Sequence, residues 1–268
     1  MMKVGLIGCG AIGTLLVELL DEHVPGVRVL AVHERQGYIE GGGTAPRPDI
    51  RIVERLDDFL DSGLDLVVEC AGHRALRELG PAVLAAGRDL LVASVGAIAE
   101  RALESSLIDA AQAGRARLRI PSGALGGLDV LGAAKLAGLR EVRYEGRKAP
   151  GAWRGTPAET RVALDEVAAP IAFFEGTARE AARMFPQNAN VAAAVALAGL
   201  GFDRTKVVLY ADPSVAGNTH RIAADGDFGH IDTIVMGKTL PANPKTSMLA
   251  PYSLVRAIAN LDQTLIIA

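Results

Sequence analysis

The chain has 268 residues, of which 50% are apolar and only 4% aromatic, with a formal net charge of −3. That length allows one large domain or two modest ones. No long block of Lys or Arg is present, so the charge balance argues against nucleic acid or an acidic membrane surface as the main partner.

A core with so few aromatics must be built from Ala, Leu and Val, which suits helices packed closely on a parallel sheet. Lys3 precedes an apolar run, as in a signal peptide. Gly5, Gly8, Gly10 and Gly13 interrupt that run, however, and Glu18, Asp21 and Glu22 close it, so a folded element is expected instead. The longest later apolar stretch, "VAAAVALAGLGF", stops at Asp203, well short of the about 20 residues a membrane span needs. A cytoplasmic protein is expected. Cys9 and Cys70 both fall inside apolar, strand-like runs. They are expected to be small buried side chains in a reducing compartment, not a disulfide or a metal pair. No metal site is expected, because two cysteines do not make up a four-ligand set.

In chain order, "MKVGLIG" predicts a buried strand and Ala11 to Leu20 a helix, with Gly8, Gly10 and Gly13 at the junction. This is the strand–turn–helix setting that a G-x-G-x-x-G dinucleotide loop requires. Gly8 would allow the sharp turn, Gly10 the close approach of a pyrophosphate, and Gly13 the packing of helix on strand. Ala11 and Ile12 would present backbone N–H groups at the helix N-terminus. "VRVLAVHER" is the second strand and ends in Glu34, about 20 residues past the glycines, where an acidic side chain accepts from a ribose 2′-hydroxyl. Arg35 beside it suits a 2′-phosphate or is simply solvated. NAD is therefore the expected cofactor, with NADP possible.

"IRIVE", "LDLVVECAG", "DLLVASV" and "ARLRI" are further strands, separated by helical segments from near Leu56, Ala75 and Ile98. This alternation predicts a Rossmann-type doubly wound parallel sheet over residues 1–123. Ligands bind beyond the strand C-termini in such sheets, which adds Cys70 and Ala71 to the cofactor candidates. After "PSGALGG" the pattern changes to longer alternating strands: "LREVRYEGRKA", "IAFFEGTA", "KVVLYADP" and the pair around Asp225-Gly226-Asp227, a hairpin signal. Residues 124–240 are thus expected to form an α+β domain with a mostly antiparallel sheet. A helix over 248–260 and a strand "QTLIIA" should bring residues 241–268 back onto the first domain.

Several stretches taken together resemble the L-aspartate dehydrogenase family: "GLIGCGAIG", "ECAG", "ASVGA", "PSGALGGLD", "FPQNANVAAAVALAG", "NTHRI" and "NPKTS". They occur in that family's order and cover nearly the whole chain. The resemblance implies NAD(P)-dependent oxidation of L-aspartate to iminoaspartate, which hydrolyses to oxaloacetate and ammonia. It also implies a homodimer and a role in feeding NAD biosynthesis. By motif, Ala124 and Asn190 match cofactor-contacting positions and His220 the catalytic histidine. Relatives often have Asp-Arg where this chain has Glu34-Arg35, which bears on NAD against NADP.

The chemistry of the residues supports the same positions. His220 has the side chain whose ordinary pKa lies nearest neutrality, so it suits a proton-transfer role. Asn188 and Asn190 stand just before an Ala-rich segment, where an Asn caps a helix or contacts a ligand. Donors for two substrate carboxylates are Lys148, Asn218, Thr219, Lys245, Thr246 and Ser247, the last two also suiting a helix cap. Arg143 and Arg147 are expected to be exposed, and His230 structural or solvated. Two other functions fit the pattern: a two-domain NAD(P)-dependent reductase acting on another imine or an aldehyde, and a non-catalytic NAD-sensing regulator.

Overall fold

A computed structural model provides the structure of the protein and describes residues 1–240 and 243–266, excepting the side chains of Ile39, Gln187, Asn243, Pro244 and Lys245. The chain divides into two compact units, Met1–Pro121 with Pro251–Ala268, and Ser122–Ala250.

The first unit alternates strand and helix: β1 (Met2–Ile7), α1 (Ala11–His23), β2 (Val27–His33), α2 (Gln36–Glu40), β3 (Arg51–Val53), α3 (Leu56–Leu60), β4 (Leu66–Glu69), α4 (His73–Ala85), β5 (Asp89–Val92), α5 (Arg101–Gly114) and β6 (Leu118–Arg119). The six strands are all parallel, in the order β3-β2-β1-β4-β5-β6. Val4, Leu6, Val67, Val68, Leu90 and Leu91 are buried at the sheet centre, as both faces must be in a parallel sheet. This is the dinucleotide-binding order, and its chain reversal beside β1 puts the ligand crevice at the carboxyl ends of β1 and β4. Cys9 and Cys70 lie just past those two strand ends, not inside them, and both are free thiols.

The last helix, α9 (Leu249–Asp262), sends Leu254, Val255, Ile258 and Ala259 into the core formed with Leu16, Leu20 and Val29. Leu254, Val255 and Ile258 each contribute about 1.5–3 kcal/mol by burial. The helix runs on to Asp262, and residues 263–266 form no strand; the remainder of "QTLIIA" lies outside the described residues.

The second unit comprises α6 (Leu128–Leu136), β7 (Leu139–Lys148), β8 (Ile171–Thr177), α7 (Ala178–Met184), α8 (Ala189–Ala198), β9 (Lys206–Ala211), β10 (Asn218–Gly226), β11 (Gly229–Gly237), β12 (Thr239–Leu240) and β13 (Asn243–Ser247). Its five-stranded sheet has the order β11-β10-β7-β9-β8, with β7 and β9 parallel and the other pairs antiparallel. Gly226 pairs with Gly229, so the hairpin turn is Asp227-Phe228, shifted from the Asp225-Gly226-Asp227 expected. Gly229 has φ +113°, which a side chain would resist. "NPKTS" is a strand, β13, paired with β12, rather than the start of a helix. The Ser247 hydroxyl still accepts from the Leu249 N–H at 3.3 Å, so of the two expected caps, Thr246 and Ser247, it is Ser247 that bonds the start of α9. Among the described residues no helix is long and apolar enough to cross a membrane.

Candidate active site

In the first unit the glycine loop has the shape that the spacing requires. Gly8 sits at φ +93°, and a Cβ there would lie 2.6 Å from the Ala71 side chain. A Cβ on Gly13 would lie 2.5 Å from the Gly8 carbonyl oxygen, so α1 can approach β1 only with glycine at that position. Gly10 is the opposite case: nothing lies within 4 Å of its Cβ position, and the residue is exposed. The space beside Gly10 and the first N–H groups of α1, from Ala11 and Ile12, fit a dinucleotide pyrophosphate. Glu34 reaches the same loop, its Oε1 accepting from the Cys9 N–H at 2.6 Å. Arg35, beside it, is exposed.

The loop after β4 has an organiser that the sequence reading missed. Glu69 is 0% exposed. Its Oε1 accepts from the N–H groups of Ala71 and Gly72 and the hydroxyl of Ser94, and its Oε2 from the Ser94 N–H, all at 2.8–3.0 Å. Burial pushes the carboxyl up and these donors oppose that. Glu69 therefore ties the loop after β4, with Cys70 and Ala71, to the loop after β5. Only its position before the "CAG" turn hinted at this. The Cys70 thiol is pushed well up by burial and donates to the Gly8 carbonyl at 3.3 Å, so it is a packing group.

In the second unit the strand alternation sorts the candidates by face. On β10, Asn218 and His220 are buried, whereas Thr219 and Arg221 are half-buried on the other side. His220 pairs with Gly146 of β7, and Tyr144 and Lys148 flank Gly146 on the same face. The Tyr144 hydroxyl lies 2.8 Å from His220 Nδ1. Lys148 Nζ donates to Asn188 Oδ1 and lies 5.2 Å above the Trp153 ring. Burial, and then the Lys148 charge, press His220 down to about 4; burial lowers Lys148 to about 8. Asn188 stands at the head of α8 without a side-chain capping bond, because its amide oxygen is committed to Lys148.

Other candidates lie apart from this cluster. Thr219 pairs with Arg147 and Met236 on the opposite face, away from His220, because neighbours in a strand alternate. That face carries Glu145, nearly buried, with Arg143, Arg147 and Arg221 around it; the two β7 arginines are half-buried in ion pairs, not free in solvent as expected. His230 is exposed and 2.8 Å from Asp225. Ala124 is buried in the loop before α6, and that loop docks on the His220 face through Thr233, whose hydroxyl donates to the Gly126 carbonyl at 3.3 Å. Asn190 lies in the first turn of α8. Ser247 is buried and Thr246 half-buried on β13; the Lys245 side chain lies outside the described residues.

A parallel dinucleotide sheet and a second mixed sheet carrying a buried imidazole and a buried amine define a two-domain oxidoreductase of the pyridine-nucleotide class. Residues 129–261 match the family described as aspartate dehydrogenase, C-terminal, and residues 8–121 match homoserine dehydrogenase, NAD binding domain. The chain is 45% identical to the L-aspartate dehydrogenase of Polaromonas sp. over 100% of both chains, and 46% identical to that of Pseudomonas aeruginosa over 97% of each. The crystal structure of aspartate dehydrogenase from Thermotoga maritima matches with TM-score 0.80 at 28% identity, covering 100% of both chains. A homoserine dehydrogenase from Thiobacillus denitrificans matches with TM-score 0.64 at 16% identity, a likeness of fold alone. The chain belongs to the L-aspartate dehydrogenase family.

Proposed function

We propose that the protein oxidises L-aspartate to iminoaspartate with NAD, and that water then releases oxaloacetate and ammonia. Family membership over the full length of the chain carries this reading, and the buried His220 and Lys148 on one sheet face supply its chemistry. Gly8, Gly10, Ala11, Ile12 and Gly13 would hold the pyrophosphate. Glu34 would meet the ribose and repel a 2′-phosphate, with Arg35 the feature that favours NADP. Cys70, through its backbone, with Ala71, Ala124 and Asn190, completes the proposed cofactor set. When bound, the oxidised nicotinamide supplies the hydride acceptor.

The chain's own residues have three tasks. They hold two carboxylates, neutralise the substrate amine, and steer water onto the imine carbon. Asn218 shares the His220 face and suits the first task, with Ser247, Thr246 and Lys245 as further donors on β13. Thr219 is the weakest member of the sequence-derived set, because its strand position turns it from His220. His220 and Lys148 are the groups with proton chemistry to offer.

We also assign the protein to the cytoplasm, where free Cys9 and Cys70 stay reduced, with iminoaspartate feeding NAD biosynthesis. A homodimer would use the open sheet face, on which Ile234 and Met236 are exposed beside the Glu145–arginine network.

Mixing the protein with L-aspartate and either NAD+ or NADP+, and following the absorbance of the reduced nicotinamide, tests the reading. L-aspartate-dependent reduction, faster with NAD+, is expected. Turnover of another imine or an aldehyde without turnover of L-aspartate would favour the reductase alternative. Nucleotide binding without any turnover would favour the sensor.

A further inference from the structure

The neighbours of His220 determine which of its nitrogens carries the proton. His220 faces Gly146 across the β10–β7 pairing, and Tyr144 and Lys148 are its diagonal neighbours. A Cβ on Gly146 would lie 2.7 Å from the Tyr144 hydroxyl oxygen, so the missing side chain is what lets that hydroxyl reach over to the imidazole. The hydroxyl ends 2.8 Å from Nδ1, with the two rings stacked at 6.0 Å and 21°.

Tyr144 is 2% exposed, and burial pushes its phenol well above the ordinary value, so the proton stays on oxygen. A buried O–H must donate, and the acceptor within reach is the Nδ1 lone pair. The single proton of the neutral ring is then on Nε2. In that tautomer the imidazole offers an N–H and has no free lone pair with which to act as a base. The second proton is not taken up near neutral pH, because burial and the Lys148 charge hold His220 at about 4.

The groups around Lys148 are of another kind. His220 faces it from β10, Tyr144 from its own strand, Asn188 through the Nζ hydrogen bond and Trp153 through its ring. Arg147 and Asp212 pair with each other at 3.4 Å, with Arg147 on the opposite face of β7. Burial brings Lys148 to about 8, so its amine has a usable lone pair at slightly alkaline pH.

We propose that Tyr144 is a positioning residue that fixes His220 as an Nε2–H donor toward the substrate, and that the Lys148 amine, not the imidazole, accepts the proton of the substrate ammonium. The assignment rests on the L-aspartate reading above. One N–H bond of the ammonium breaks, and its proton forms a new bond with the Lys148 Nζ lone pair. The freed nitrogen lone pair becomes the second C–N bond as hydride leaves Cα with both electrons for the nicotinamide. The Nε2–H of His220 then stabilises a substrate oxygen, as a neutral donor does at a polarised carbonyl.

The test is nitrogen NMR of histidine-labelled wild-type protein at neutral pH, with the His220 signals identified by their loss in His220→Asn. A bare Nδ1 and a protonated Nε2 are expected, and Tyr144→Phe or Gly146→Ala should mix the tautomers. A protonated Nδ1 in the wild type overturns the proposal, whether or not the protein turns over L-aspartate. In kinetics, kcat/KM for L-aspartate should rise with pH through about 8, and His220→Asn should keep that rise while Lys148→Met loses it. Tyr144→Phe should lower kcat about tenfold with the KM for NAD+ unchanged. A wild-type kcat/KM flat from about 4 upward, or full kcat in Lys148→Met, overturns the role of Lys148. Absence of any L-aspartate-dependent NAD+ reduction by wild type overturns the L-aspartate reading and leaves the tautomer measurement to stand by itself.

Discussion

The glycine loop of the first unit and the His220 face of the second use the chain in opposite ways. The loop works through backbone: Gly8 supplies a positive φ, Gly13 a close approach and Gly10 open space. The His220 face works through side chains on neighbouring strands, His220 on β10 and, on β7, Tyr144 and Lys148, each two residues from Gly146. A backbone site tolerates almost any side chain that keeps out of its space. A side-chain site fails when one hydrogen-bonding atom is lost. Substitutions in the two regions should therefore part cleanly, the first acting on nucleotide affinity and the second on turnover.

The largest effect is expected at His220. His220→Ala removes a positioned donor and should lower kcat for L-aspartate by about 10²–10³-fold. NAD+ affinity by calorimetry should be nearly unchanged. A parallel loss of affinity would mean that the imidazole holds nucleotide and would break the division between the two regions.

The same residue sharpens the comparison through stability. The folded-state pKa of His220 is about 4, against about 6.5 in the unfolded chain. At and above neutral pH both states are neutral and nothing is lost. As pH falls from about 6.5 the unfolded chain takes the proton first, so stability drops until about 4, by roughly 3 kcal/mol in all. Denaturant titrations across that window should show the slope in wild type and lose most of it in His220→Asn.

Glu69→Gln probes a point where the nucleotide half depends on a side chain. Both carboxylate oxygens accept from N–H groups, so either orientation of the amide sets its NH2 against a donor. A loss of about 2 kcal/mol in stability is expected, with a raised KM for NAD+ and little change in kcat at saturation. A smaller effect belongs to Gly10→Val. Nothing surrounds that position, so the fold should keep its Tm while NAD+ affinity falls about tenfold, or 1.4 kcal/mol.

The unequal legibility of the two regions has the same physical root. Gly8, Gly10, Gly13 and Glu34 can be read in order because the loop is local and its spacing follows from one turn and one helix. His220 could be singled out by residue type, and Lys148 as a donor, but their company could not. Tyr144 meets His220 only through a β10–β7 register set far along the chain, and a one-residue change of register would have turned Tyr144 to the other face. Thr219 was misleading for that reason, since adjacency in sequence means opposition in a strand. Asn188 had a plausible local use as a helix cap, and a long-range bond to Lys148 took precedence. Glu69 was hidden because a carboxylate at the end of an apolar strand gives no sign of four donors gathered from two loops. The tail was misjudged on local grounds too: "NPKTS" carries capping residues, yet pairing with β12 keeps it extended.

The central claim is that hydride leaves Cα of L-aspartate while the chain's second unit manages the protons. L-aspartate carrying deuterium at Cα tests it most directly. The account predicts slower turnover than with ordinary L-aspartate and deuterium recovered on the reduced nicotinamide. Deuterium released to water, with none on the nicotinamide, would contradict it.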